Sequence, residues 1–192
     1  GEKWVHILRL PSTLNFWNQF STLKEFDITE CAISSVVPNL MQVYIESIRN
    51  LFQIDAHIIT CQNSGVELLV ETPQDVGIDR ICNVAAAKLL VGTPAIVGDI
   101  GSATNYDVVD ENGAFIGGAI APGIKVAAHN LIEKAALLNE TAFIVPKSAV
   151  GKNTETNLQS GIMLGAIDVV DGMFTRIMGE MNWKKCNMIV TG

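Results

Sequence analysis

Several absences narrow the function of this 192-residue chain before any motif is read. No apolar run approaches the roughly 20 residues needed to span a bilayer. No basic start followed by an apolar stretch marks a secretory signal. The expected location is the cytoplasm, with no membrane partner. Positive charge is in deficit: 13 Lys and Arg face 20 Asp and Glu, for a net charge of −7. The basic residues are scattered, so binding nucleic acid by neutralising its phosphates is not expected. A nucleotide ligand remains open, because backbone amides and a metal ion handle phosphates without a basic surface. Cys31, Cys61, Cys82 and Cys186 form no CxxC pair and fit no zinc spacing, so they read as reduced core thiols. His6, His57 and His129 lack metal-ligand spacing and read as structural or exposed. No G-x-S-x-G elbow is present, and no G-x-G-x-x-G follows a strand. Gly151-Lys152 lacks the rest of a P-loop.

What is present is apolar. Hydrophobic residues make up 48% of the chain, enough for a sizeable core in one ordinary domain or two small lobes sharing a cleft. Residues 2–9 read as a strand, and 15–26 as a poorly patterned helix. The run ECAISSVV (30–37) ends at Pro38 like a buried strand. A helix follows from Asn39, with Leu40, Val43, Tyr44, Ser47, Ile48 and Leu51 at helical spacing, and then a short strand at HIIT (57–60). An alanine-rich helix over 76–91 carries a stripe of Ile81, Val84, Ala85, Lys88 and Leu89. Thr93-Pro94 interrupts the pattern, which places lobe boundaries at 1–92 and 93–192. Strands are expected at 95–99, 105–110 and 114–120, the last two joined by the hairpin signal Glu111-Asn112-Gly113. Helices are expected at 124–138 and 155–181, with a final strand at 187–190. Strands, a hairpin and interspersed helices make this an α/β protein.

Four stretches could carry chemistry. In VGDIGSAT (97–104), Asp99 ends a buried strand and is followed at once by Gly101, Ser102 and Thr104. The carboxylate suits Mg²⁺ or a monovalent cation, the glycine lets backbone amides approach phosphates, and the hydroxyls add donors. A tight turn with capping residues is the bland alternative. In Gly77-Ile78-Asp79-Arg80, adjacent opposite charges open an otherwise apolar helix. Asp79 is either a helix cap or a group that accepts a proton from a substrate hydroxyl, and Arg80 is suited to an anionic group. The paired Gly117 and Gly118 inside a strand mark a bulge or a close backbone approach. Asn153 or Thr154 reads as an N-cap, and Gly161 and Gly165, four apart on the following helix, suit a helix–helix or subunit contact.

Together these stretches resemble type III pantothenate kinase, of the superfamily that joins acetate and sugar kinases, heat-shock ATPases and actin. The residues that carry the resemblance are ISSVVP (33–38), VGIDR (76–80), GDIGSATNYDVVDENGAFIGGAIAPG (98–123), GKNTETNLQSGI (151–162) and VTG (190–192), in family order over most of the chain. The resemblance implies two ribonuclease-H-like lobes with mixed sheets and flanking helices, as in actin-like ATPases. It implies a homodimer and ATP-dependent phosphorylation of pantothenate, with Mg²⁺ and a monovalent cation (K⁺ or NH₄⁺). On the matching positions, Asp79 corresponds to the general base, and Gly77, Ile78 and Arg80 flank it at the pantothenate site. Asp99 corresponds to the acidic residue near the metal, and Gly101, Ser102 and Thr104 to the phosphate-facing turn. Thr154 corresponds to the segment that reaches the partner's pantothenate site.

Three departures accompany the resemblance. The family begins with a strand bearing an Asp and a Gly-Asn-Thr phosphate loop, and nothing before Glu2 matches it. The family continues beyond Thr191-Gly192 with another Gly and a last helix. Either residues upstream of Gly1 carry that loop, or this polypeptide does not turn over; the C-terminal end of the family pattern is likewise missing from residues 1–192. Ser102 and Asn105 stand where Thr is usual. A non-catalytic regulatory member of the family is the alternative reading, and a kinase of another small alcohol is a third. Retention of Asp79, Arg80 and Asp99 together favours the pantothenate kinase.

Overall fold

The computed structural model describes residues 21–135, 138 and 140–192. The expected strand at 2–9 and the first part of the expected helix at 15–26 lie outside them. Contacts divide the chain into two compact units. One runs up to Ser64 and takes in Gly77–Asp79; the other comprises Gly65–Val76 and Arg80–Gly192.

In the first unit, a single 3-10 turn covers Ser21–Glu25. Strand β1 is only Ala32–Ile33, paired in parallel with β2, His57–Ile58. The apolar run at 30–37 predicts a strand throughout. Instead the Ser35 hydroxyl accepts from the Val37 amide at 3.1 Å, and this local turn ends the strand and leaves Val36 and Val37 exposed. Helix α1, Pro38–Phe52, begins with proline at its first positions, where the missing N–H costs nothing. It buries Leu40, Ser47 and Ile48, and it ends at Gln53 in the left-handed region.

The second unit is built on a four-stranded sheet in the order β5-β4-β3-β6. Strands β3 (Ala95–Ile100), β4 (Ala103–Val109) and β5 (Phe115–Pro122) form an antiparallel meander, and β6 (Asn187–Thr191) joins β3 in parallel. The β4–β5 turn is held by Asp110, whose carboxylate accepts from the amides of Asn112 (2.9 Å) and Ala114 (2.8 Å). Gly113 there has φ +84, a conformation that side chains disfavour. The glycine pair marks a bulge as expected: the register shifts between Val108 and Val109, and Gly117 has φ +116.

Helix α2, Ile78–Leu90, buries Ile81, Val84 and Ala87. The expected stripe is thus corrected beyond Val84, because Lys88 and Leu89 are exposed and Ala87 points inward instead. The helix ends at Gly92, φ +81, whose amide reaches back to the Ala87 carbonyl at 3.1 Å. The Asn187 amide group donates to the Val91 carbonyl at 2.9 Å, which ties this end to β6. Helix α3 is Ile124–Lys134, shorter than expected. The long C-terminal helix is continuous from Thr154 to Glu180 but changes register midway. Helix α4 (Thr154–Gln159) passes through a π-helical turn, Ser160–Leu164, into α5 (Gly165–Glu180). A capping box between Asn153 and Thr156 starts it. Ile96, Tyr106 and Phe174 form a core cluster with Met173 and Met178 packed against it, as expected of methionines that fill gaps. None of the four cysteines is disulfide-bonded, and Cys82 lies exposed on α2 rather than in the core.

Candidate active site

Strand alternation decides which side chains meet α2. Successive residues point to opposite faces of a sheet, and the register sets Val97 opposite Asp107 and Asp99 opposite Asn105. Asp99, Asp107 and Asn105 therefore share one face. Both carboxylates are engaged by α2. The Asn83 side-chain amide donates to Asp99 Oδ2 at 2.9 Å. One turn earlier, Arg80 Nε donates to Asp107 Oδ1 at 2.6 Å.

Asp107 is fully buried, and the Arg80 side chain is 16% exposed. A carboxylate inside an apolar strand is tolerated only when paired, and a charge-assisted bond to guanidinium is among the stronger pairings. The guanidinium also lies over the Phe115 ring, 5.1 Å from its centroid. Gly118 is opposite Asp107 in the β4–β5 register. A Cβ there would collide with the Tyr106 carbonyl and sit 3.0 Å from Arg80 Nη2. The glycine thus clears space for the guanidinium.

The turn after Asp99 is the second element. Gly101 and Ser102 are exposed at its tip. The Gly101 amide donates to the Ala103 carbonyl at 2.8 Å, and the Gly123 amide to the Ser102 carbonyl at 3.1 Å. A Cβ on Gly123 would strike both the Gly101 and Ser102 carbonyls, so only glycine lets the start of α3 clasp this turn. Thr104 lies elsewhere. It is 5% exposed, on the face opposite Asp99. There it lines an apolar cavity of about 700 Å³ with Tyr106, Pro122, Leu131 and Leu158, and Thr154 borders the same cavity from the first turn of α4. Burial pushes the Tyr106 phenol above its usual value, so it stays neutral at ordinary pH.

Asp79 belongs to the first unit, with Gly77 and Ile78. It is exposed in the first turn of α2. A Cβ on Gly77 would come within 2.5 Å of its Oδ1, so glycine leaves the carboxylate room.

Among the described residues no group of three or more His, Cys, Asp or Glu could hold a metal ion. The side chains that this turn offers include the Asp99 carboxylate and the exposed Ser102 hydroxyl, both oxygen donors. A carboxylate with one hydroxyl in the following turn suits a hard cation that keeps several waters and leans on substrate phosphates, as Mg²⁺ does. Asn83 and Asp107 were not singled out from the sequence. Their signals were there: an acid in the apolar run Tyr106-Asp107-Val108-Val109, and an amide three residues after Arg80 on an alanine-rich helix.

The family model for type III pantothenate kinase matches residues 10–176. A type III pantothenate kinase from Thermomicrobium roseum is 41% identical over 180 residues, covering 90% of this chain and 69% of that protein. One from Frankia casuarinae is 38% identical over 163 residues, covering 83% and 65%. The chain thus spans about two thirds of the length of these relatives. A solved structure described as a conserved putative Baf family transcriptional activator from Campylobacter jejuni superposes with a TM-score of 0.52 at 21% identity, covering 80% of this chain and 68% of that one. That likeness concerns the fold alone.

Proposed function

The chain belongs to the type III pantothenate kinase family, and on that premise we propose that it carries acceptor and phosphate-binding parts of an ATP-dependent kinase that converts pantothenate to 4′-phosphopantothenate, the first step of coenzyme A synthesis. The observation that carries this reading is the arrangement on the α2 face of the sheet. There Asp99, held by Asn83, precedes the exposed Gly101-Ser102 turn, while Arg80 is locked on buried Asp107.

Phosphoryl transfer needs in-line positioning and charge neutralisation more than covalent chemistry. A primary alcohol is too weak an acid to be deprotonated beforehand, so Asp79 orients the acceptor hydroxyl and takes its proton late in the transfer. Arg80, with Gly77 and Ile78 beside it, holds the acceptor's anionic end. Gly101 and Ser102 serve the phosphates. Asp99 would hold Mg²⁺, which supplies neutralisation of charge on the transferring group, and the same oxygen-rich turn suits K⁺ or NH₄⁺.

We read the chain as two ribonuclease-H-like lobes, 1–92 and 93–192. The β5-β4-β3-β6 order, with a meander followed by a parallel strand, supports this for the second lobe. We also read the protein as a cytoplasmic homodimer in which Thr154 reaches the partner's acceptor site. Gly161 and Gly165 support the dimer, since a Cβ at either would meet nothing within 4 Å, and Leu131, Ile167 and Val169 are exposed. Among the described residues no helix is long and apolar enough to cross a membrane.

The test is ADP release with pantothenate, ATP, Mg²⁺ and K⁺, comparing the wild type with Asp79→Asn. Pantothenate-dependent turnover that falls about 10²-fold or more in the variant is the expected result. No turnover by the full-length wild type, with its N-terminal phosphate loop intact, would overturn the kinase reading in favour of a regulatory family member.

A further inference from the structure

We propose that Asp107 is a positioning residue that sets selectivity for the acceptor's carboxylate by fixing the orientation of Arg80. This rests on the acceptor-binding role of Arg80 proposed above. A long arginine on a helix ordinarily samples many rotamers, and ordering it on binding weakens affinity. Here the surroundings among the described residues hold the guanidinium. Asp107 Oδ1 takes the Nε edge at 2.6 Å. The Phe115 ring supports its plane at 5.1 Å. The backbone at Gly118 leaves the space into which Nη2 fits, where a Cβ would stand only 3.0 Å away.

These contacts come from neighbouring positions on one face. Asp107 is opposite Gly118, and Phe115 is opposite Val109, two residues along β4 from Asp107. Asp107 is wholly buried and so touches no ligand itself, whereas Arg80 retains 16% of its side-chain exposure. The aspartate therefore acts through the arginine. A guanidinium held in one pose presents a fixed donor geometry, and that favours a planar carboxylate over a neutral hydroxyl at the same place.

The experiment is steady-state kinetics on the purified protein with two acceptors: pantothenate, and its alcohol analogue in which the carboxylate is replaced by CH₂OH. Asp107→Asn keeps an oxygen acceptor for Nε but removes the charge. The expected result is a KM for pantothenate raised about tenfold, the size of losing one well-placed charge-assisted contact. The KM for ATP and the kcat stay within about threefold, and the KM for the alcohol analogue is nearly unchanged.

Phe115→Leu, which replaces the buried ring beneath the guanidinium with an aliphatic side chain, shifts the same ratio of KM values in the same direction, by about threefold. It decides the matter if Asp107→Asn does not fold. Equal changes for both acceptors, or an unchanged KM for pantothenate, would show that the ion pair is structural and overturn the proposal. A wild type that phosphorylates neither acceptor would instead remove the kinase reading, and this inference with it.

Discussion

On the side of the four-stranded sheet that faces α2, β3 and β4 contribute Asp99, Asn105 and Asp107. On the other side the same two strands contribute Ile96, Tyr106 and Val108, with Phe174 of α5 packed on Ile96 and Tyr106. One face sets these polar groups, braced by two side-chain bonds from a single helix, among the buried apolar Ala95, Val97 and Val109. The other is apolar, and Gly98 brings the Phe174 ring so close that a Cβ there would sit 3.1 Å from it. Period-2 alternation thus lets two short strands present carboxylates to one side and rest on a packed core on the other. It follows that half-buried Asp99 should govern turnover with little effect on stability, and the apolar face the reverse.

The largest effect is expected on the apolar side. Phe174→Ala removes a ring that is 5% exposed and joins helix to sheet. It should cost about 3–5 kcal/mol, seen as a melting temperature lower by roughly 10 °C. The fraction that remains folded should keep a kcat near that of the wild type. A large loss of kcat per folded molecule would mean the two faces are not separable.

The mirror experiment is Asp99→Asn. Losing the charge beside the phosphate turn should lower kcat/KM about 10²–10³-fold, with the melting temperature nearly unmoved because Asp99 is only half-buried. A variant that melts early but turns over normally would assign Asp99 to the scaffold instead.

Asn83→Ala probes the brace itself. Its amide donates to Asp99 at 2.9 Å, and on the metal role proposed above for Asp99, removing this support should weaken the metal by about tenfold or more. Mn²⁺ binding followed by electron paramagnetic resonance, without substrate, reads this directly. Unchanged Mn²⁺ affinity would show that the hydrogen bond serves packing alone.

Much of the second unit was legible in the sequence because its signals are local. The hairpin at Glu111-Asn112-Gly113, the strand ending at Asp99 and the cap at Asn153 each follow from residues within a few positions of one another. The strand expected over 30–37 shrank to two residues because apolar content cannot report that Ser35 will bond its own neighbour Val37. Leu89 fits a helical stripe by spacing yet is 84% exposed, because periodicity does not say where the sheet beneath the helix stops. Asp99 and Arg80 stood out as charges beside glycines, whereas Asn83 and Asp107 did not. Their meaning lies in partners 16 and 27 residues away, which only the packing of α2 on the sheet brings together.

The smallest expected effect is also the most specific to the apolar face. Tyr106 is 1% exposed, its ring meets Phe174 edge-on at 6.1 Å, and its hydroxyl has no hydrogen-bond partner among the described residues. A buried hydroxyl without a partner costs stability, so Tyr106→Phe should be neutral or stabilising by about 1 kcal/mol at neutral pH. Burial raises the phenol's pKa above the usual 10.0. Below that value both folded and unfolded tyrosine are protonated and the group adds no pH dependence. Above it the unfolded chain ionises first, so stability falls as pH rises toward the folded pKa. The variant should lack this part of the alkaline loss. Urea unfolding of both proteins, at neutral pH and about one unit above the tyrosine value, measures the two effects together. Destabilisation at neutral pH would mean that the hydroxyl is bonded in solution, and that the supporting face carries a polar role of its own.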